Sequence, residues 1–194
     1  VWALTFSTDS RYFVTGSNYT IKLWSTRRGQ CWRSFLSQAH RVSCLALGTA
    51  PSVGPAPDVG PGSDIGTGPS PGAGSSLILT GHDDSHLRLW QIDAGIPYAS
   101  GPRTLAGHSG PIRTVALSAD GRWLASSADD QTLRLWSALS GENRWVWPIS
   151  TPATLLSFSA SGQWLASVSL AGNISLWDPA TGVGMTATFG AVAR

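Results

Sequence analysis

Four stretches of this 194-residue chain end in tryptophan and share one layout. They are TFSTDSRYFVTGSNYTIKLW ending at Trp24, LALGTA through SSLILTGHDDSHLRLW ending at Trp90, VALSADGRWLASSADDQTLRLW ending at Trp136, and LSFSASGQWLASVSLAGNISLW ending at Trp177. The spacings between these tryptophans are 66, 46 and 41 residues. The last two fit a repeating four-stranded unit of about 40–45 residues, and the first exceeds that by the length of an insertion.

Each unit has the period of strands. In the third, IRTVALS (112–118), WLASSA (123–128), LRLWSA (133–138) and RWVWPI (144–149) are separated by SADGR, DDQT and SGEN. Leu133 and Leu135 then share one face, and Arg134 and Trp136 the other. Alternating runs joined by Gly, Asp and Asn turns predict an antiparallel meander. Composition agrees: charged residues are only 12% of the chain, while Gly (22) and Trp (10) are frequent, as in an all-β protein.

At this point the sequence resembles the WD-repeat family. LAGH (105–108), ALSADGRWLASSADDQTLRLW (116–136) and the Trp177–Asp178 pair followed by PATG carry the resemblance, which extends over nearly the whole chain outside one insertion. It implies a β-propeller of four four-stranded antiparallel blades, expected to be a sector of a larger, seven- or eight-bladed ring. In such blades the outermost strand comes from the start of the next sequence repeat. Blade 1 then occupies about 1–36, blade 2 about 42–106, blade 3 about 112–149 and blade 4 about 153–190. The chain begins inside a repeat without Met and reads as a piece of something longer, with missing blades supplied by the parent chain or by a second copy.

The resemblance also implies a buried polar network in each blade, built from the His of Gly-His, a Ser or Thr on the second strand, an Asp in the turn and the Trp. The third unit supplies His108, Ser126, Asp130 and Trp136. The second supplies Thr80, Asp84 and Trp90, with His40 nearest to the histidine position but two residues before Val42 rather than four. The first has Thr15 and Trp24, with Asn18 where an acid is expected. The fourth has Ser167 and Trp177, with Ala171 and Ile149 replacing the acid and the histidine. Mutual hydrogen bonding inside a sheet avoids a cost of roughly 1–3 kcal/mol for each unpaired buried group.

Residues 50–75, rich in Pro, Gly and Ser, cannot bury enough apolar surface to offset ordering entropy, so a disordered loop is expected there. Six basic groups against one acid in residues 1–41 form a basic excess, read as solvated side chains because no aromatic-and-basic recognition motif accompanies them. Nucleic acid is therefore an unexpected partner. No apolar run reaches the ~18–20 residues of a membrane span and no leader pattern is present, so no membrane association is expected. Cys31 and Cys44 read as free thiols, which favours a reducing compartment and a cytoplasmic location.

Ser126, His108 and Asp130 have the residue types of a hydrolytic triad, but Ser126 is mid-strand without a nucleophile elbow. His82 and His86 are four apart on a turn, not on a helix face, so they do not present half a zinc site. No phosphate loop, dinucleotide fingerprint or paired-carboxylate arrangement appears, and no cofactor or metal is expected. Trp32, Trp145 and Trp147 on outer strands, with Trp123 and Trp164 at matching repeat positions, are expected to pack against neighbouring loops and blades.

The functional expectation is a non-enzymatic scaffold or sensor module of a larger protein. The resemblance implies a protein or peptide partner bound on the Gly-His face, with Ser17, Asp83, Asp129, Leu170, Arg41 and Arg113 as candidate rim contacts. The competing class, a propeller enzyme or carbohydrate-binding propeller, requires acids, a metal cluster or an aromatic cradle converging on a pocket.

Overall fold

A computed structural model describes residues 3–7, 10–37, 40–49, 76–93, 96–97 and 101–188; the expected disordered insertion lies outside them. The described chain is all-β. Its first sheet joins β1 (Ala3–Phe6), β2 (Tyr12–Gly16), β3 (Thr20–Ser25) and β4 (Cys31–Leu36) as an antiparallel meander. The third joins β10 (Ile112–Leu117), β11 (Trp123–Ala128), β12 (Thr132–Ser137) and β13 (Asn143–Pro148), and the fourth β14 (Ala153–Phe158), β15 (Leu165–Ser169), β16 (Asn173–Trp177) and β17 (Gly184–Thr188).

The second sheet contains β5 (Val42–Thr49), β6 (Ser76–His82) and β7 (Leu87–Asp93), but its outer strand is split. Two pieces, β8 (Ile96–Pro97) and β9 (Arg103–Leu105), both pair with β7. Pro97 in β8 and Pro102 just before β9 cannot donate to a ladder.

Turn chemistry sets the registers. Ser118 and Ser159 open the first turns of blades 3 and 4. Each carbonyl accepts from the glycine three residues on, and each hydroxyl accepts from the N–H of Trp123 or Trp164. Gly121 (φ 69°) and Gly162 (φ 71°) take left-handed conformations there. Blade 1 builds the same turn with Ser10 at φ 57°.

The inner strands β1, β5, β10 and β14 lie side by side, so each sheet packs face to face on the next. Three apolar cores fill the three gaps. Val14, Ile21 and Leu23 meet Val42, Ile78 and Trp90 between blades 1 and 2. Leu79 and Leu87 meet Ile112, Leu124 and Trp136 between blades 2 and 3. Leu133, Leu135 and Trp147 meet Ala153, Leu165 and Trp177 between blades 3 and 4. Leu133 and Leu135 thus face forward and Trp136 backward, as their alternation predicts. A sheet covered on both faces leaves few places for charge, hence the low charged fraction.

Backbones approach closely at one repeated position. A Cβ on Gly16 would stand 2.8 Å from Val42 Cγ1, and one on Gly81 would stand 2.5 Å from Ile112 Cγ2 and 2.6 Å from Cys44 Sγ. At the same position blade 3 has Ser127, whose hydroxyl accepts from the Ala153 N–H at 2.9 Å. Outer strands add clasps to the following blade. Phe35 packs on Trp90 with centroids 5.2 Å apart, the Arg103 guanidinium donates to the Leu139 and Ser140 carbonyls, and the Trp145 and Trp147 indoles donate to the carbonyls of Pro179 (3.0 Å) and Gly182 (2.8 Å).

Packing stops at the two ends. Leu4 and Phe6 of blade 1 are 53% and 60% exposed, and Leu155, Leu176 and Trp164 of blade 4 are 56%, 40% and 40% exposed. Trp164, expected in a core by its match to Trp123, is exposed because it lies on the last blade.

Gly81→Ala is expected to destabilise the chain by about 1–3 kcal/mol through overpacking. Combining it with Ile112→Ala should cost less than the sum of the two single changes, because the truncated isoleucine vacates the space. Urea denaturation of the four variants in a double-mutant cycle measures this coupling.

Candidate functional site

Polar groups concentrate on the edge of the sheets where β2–β3, β6–β7, β11–β12 and β15–β16 turn. In blade 3 the structure brings His108, Ser126, Asp130 and Trp136 together. The Trp136 indole donates to Ser126 Oγ at 2.9 Å, Ser126 Oγ lies 2.8 Å from His108 Nε2, and His108 Nδ1 lies 2.8 Å from Asp130 Oδ2. One proton arrangement satisfies the chain: indole N–H to hydroxyl, hydroxyl to Nε2, and Nδ1–H to carboxylate.

Asp130 is held further by the Ser109 N–H at 3.0 Å and by the Thr132 N–H and hydroxyl at 3.0 and 2.8 Å. Burial raises its pKa, but the Ser109, Thr132 and His108 hydrogen bonds outweigh this and hold the carboxyl below its ordinary value. Burial pushes the His108 imidazole down against the opposing pull of Asp130. The glycine of Gly-His has a steric reason, because a Cβ on Gly107 would lie 2.7 Å from Arg134 Nη1 and 2.9 Å from the Trp136 ring.

This constellation has the connectivity of a hydrolytic triad and cannot act as one. Ser126 is fully buried, and its oxygen already accepts the indole N–H, so no carbonyl carbon can approach it.

Blade 2 uses a different histidine from the one its sequence position suggests. The Trp90 indole donates to Thr80 Oγ1 at 3.2 Å, and the ring that meets this hydroxyl at 2.8 Å is that of His82, through Nε2. His40 instead sits half-exposed, its Nε2 3.5 Å from Asp84 Oδ2. Residues two apart on a strand point to the same face, so His82 reaches Thr80 without leaving β6. That spacing, Thr-Gly-His, was the available signal. Asp84 turns to Arg88, which donates to Oδ1 at 3.2 Å and to Oδ2 at 2.7 Å. Burial raises the Asp84 pKa, but Arg88 and the His86 N–H bring it below its ordinary value.

His82 lacks the carboxylate that His108 has. It is fully buried, and its Nδ1 makes no hydrogen bond among the described residues. Burial, with Arg88 adding repulsion, lowers its pKa to about 4, against weaker opposing effects of Asp84, the His40 backbone and Asp83.

In the outer two blades the hydroxyl–indole bond is again present, Trp24 to Thr15 and Trp177 to Ser167, each 2.9 Å. In blade 4 Ala171 takes the acid position, and Ile149 lies on a shorter link that replaces the histidine-bearing loop. A pocket of about 120 Å³ opens there, lined by Ser150, Thr151, Ser167, Ser169, Asn173 and Trp177 among others.

The six candidate rim residues fall on the turn-bearing edge. Asp129 forms a two-pronged ion pair with Arg113, from Nε to Oδ1 at 2.6 Å and from Nη2 to Oδ2. Asp83 Oδ1 accepts from the Arg41 N–H at 3.2 Å. The Ser17 hydroxyl is tied to Thr20 Oγ1 at 2.6 Å. Leu170 is 88% exposed at the tip of the β15–β16 turn. Of the outer-strand tryptophans, Trp147 is buried and Trp145 partly buried, while Trp32 is 47% exposed with its ring 6.4 Å from that of Tyr12. Cys31 and Cys44 are both free thiols. Among the described residues no group of three His, Cys, Asp or Glu side chains is placed to hold a metal ion.

Ser126→Ala leaves both a buried imidazole and a buried indole unpaired, whereas Ser167→Ala leaves only an indole. Chemical denaturation is expected to show losses of about 2–4 and about 1–2 kcal/mol respectively. Stability should also fall with pH. An unfolded histidine titrates near its ordinary 6.5, but folded His82 titrates near 4, so below 6.5 the unfolded chain takes up the proton first. The His82 contribution, on the order of 3 kcal/mol, is lost as pH falls from 6.5 to 4, and His108 acts in the same direction. Urea midpoints measured across this range should show a shallower slope for His82→Gln.

Comparison with known proteins places these features. The model of the WD domain, G-beta repeat, matches residues 1–25, 101–137 and 150–178. The chain is 29% identical over 147 residues to nuclear distribution protein nudF 2 of Penicillium rubens, covering 74% of this chain and 29% of that protein. It is 48% identical over 50 residues to ribosome biogenesis protein ERB1 of Ajellomyces capsulatus, covering 25% of this chain and 6% of that protein. The chain thus spans less than a third of the length of these relatives. Among solved structures, a chain in a crystal structure of the mitotic checkpoint complex matches with a TM-score of 0.72 at 18% identity, covering 96% of this chain and 50% of that one. With the tryptophan-terminated repeat and the stacked four-stranded sheets, these matches identify residues 1–25, 101–137 and 150–178 as WD repeats, in a fold that matches part of a larger propeller.

Proposed function

We propose that the chain is a non-enzymatic interaction module that binds a protein or peptide on the edge bearing the β6–β7, β11–β12 and β15–β16 turns. The observation that carries this reading is Leu170. It is 88% exposed at a turn tip, contributes nothing to a core, and shares its edge with the Arg113–Asp129 pair. An exposed apolar side chain beside a preformed ion pair offers a partner one anchor and one orienting charge. WD-repeat domains generally bind proteins, which supports the same reading.

The exposed Leu4, Phe6, Leu155 and Leu176 support a further part of the proposal: additional blades of a longer parent chain cover the two ends. The free Cys31 and Cys44 accord with a reducing compartment, and we assign the chain to the cytoplasm on that ground. Ser126, sealed beneath Trp136, argues against the enzymatic alternative.

Photo-crosslinking residues placed at Leu170 and at Gln163, which lies in the β14–β15 turn at the opposite edge, test the reading in the full-length protein. Discrete polypeptide adducts are expected from position 170, reduced by Arg113→Glu. Adducts from position 163 alone, or from neither position, would overturn the proposal.

A further inference from the structure

The pocket in blade 4 occupies the volume that the polar network fills in blade 3. By strand register, Leu156 pairs with Ser167 as Val115 pairs with Ser126, and Ala153 pairs with Ser169 as Ile112 pairs with Ala128. Ala171 therefore stands where Asp130 stands, Asn173 where Thr132 stands and Ser175 where Arg134 stands, while the loop that carries His108 is replaced by a shorter link carrying Ile149, whose N–H continues the outer-strand pairing to the Gln131 carbonyl, and Ser150. Two of these three substitutions replace a charged side chain with a smaller, uncharged one, and the space remains as a pocket of about 120 Å³.

What survives at its base is half of a hydrogen-bonding site. Ser167, 6% exposed, accepts from the Trp177 indole at 2.9 Å. Its own hydroxyl proton meets no acceptor among the described residues. In both blades where an imidazole meets this hydroxyl–indole pair, it does so through a ring nitrogen at 2.8 Å: His108 Nε2 on Ser126, and His82 Nε2 on Thr80, whose hydroxyl also reaches the Arg88 carbonyl at 3.2 Å. The pocket is thus shaped by its own fold for a flat ring that accepts one hydrogen bond. An apolar cavity of ~150 Å³ holds benzene, so a five-membered ring is of suitable size, and the Ser150, Thr151, Ser169 and Asn173 lining favours a polar ring.

We infer that this pocket is a binding subsite for a neutral imidazole ring, presented as the histidine side chain of a partner on the Leu170 edge. The partner source rests on the reading above, whereas binding of the free ring does not. The chemistry sets the protonation state. The ring must offer a lone pair to the Ser167 hydroxyl, and none of the lining residues contributed by β13, β14, β15 and β16 or by the segment between β13 and β14 is charged, so nothing plays the role of Asp130 for an imidazolium.

The probe is 4-methylimidazole, titrated into the protein while the Trp177 indole N–H resonance, assigned with Trp177→Phe, is followed by NMR. A saturable millimolar shift is expected at pH 8, with loss of binding at pH 5, where the ring is protonated. Ser167→Ala should weaken binding about tenfold, the equivalent of one hydrogen bond. Ile149→His should abolish it by filling the pocket from within; because Ile149 also packs on the core between blades 3 and 4, retained folding is checked by the dispersion of the other indole N–H resonances. Absence of saturation, equal binding at both pH values, or unchanged binding in Ile149→His would overturn the inference. N-acetyl-histidine methylamide separates the sources. If it binds as the free ring does, a side chain fits; if only the free ring binds, the histidine-side-chain assignment falls while the Leu170 reading stands.

Discussion

A single hydrogen bond recurs in every blade: an indole N–H on the third strand donating to a Ser or Thr hydroxyl on the second, at 2.9–3.2 Å. It ties two neighbouring strands through side chains on the face that looks toward the preceding blade. Because the indole is large and its polar atom is satisfied internally, it can be buried whole between sheets. The apolar cores form around that ring, and the other polar groups are additions to it. Blade 3 adds an imidazole and a carboxylate in series. Blade 2 adds an imidazole from the same strand and diverts its carboxylate to Arg88. Among the described residues blade 4 adds neither.

These additions have different electrostatic consequences. His108 is buried against a carboxylate that stabilises its proton on Nδ1, whereas His82 is buried with one ring nitrogen unpaired and with Arg88 nearby. Both must stay neutral in the folded chain, but only His108 has a carboxylate bonded to its ring to oppose the cost of charging it. Two blades that look equivalent by strand count are therefore unequal in their response to acid. The residues that differ lie on the same edge as the exposed rim.

Much of this was legible in the sequence because it depends on local period. Alternation in LRLW assigned Leu133 and Leu135 to one face and Trp136 to the other, and the SADGR run marked the first turn of blade 3. The blade 3 network was legible through the resemblance to the WD-repeat family, carried over by position onto His108, Ser126, Asp130 and Trp136. The blade 2 network was not, since Asp84 sat at the expected distance while the histidine slot was filled from within the strand by His82, and a loop position cannot signal that. That β8 and β9 both pair with β7 is plain only when the partner strand is known. The pocket of blade 4 was visible as two missing residues, Ile149 and Ala171, but their absence became a shape only in three dimensions.

The close approaches between blades have a consequence for how such a chain is assembled from repeats. Gly16 leaves room for Val42, Gly81 leaves room for Ile112, and Ser127 fills its space against Ala153 with a hydroxyl bonded to backbone. Each junction is a pair of volumes divided between two consecutive blades, large against none or small against small. A blade copied or moved elsewhere would carry one half of a pair to a neighbour holding the wrong half, as a Ser127 set against Ile112 would collide where Gly81 does not. Repeats that look interchangeable by their tryptophans are therefore ordered by their seams, and gene duplication within such an array has to change both sides of a seam at once.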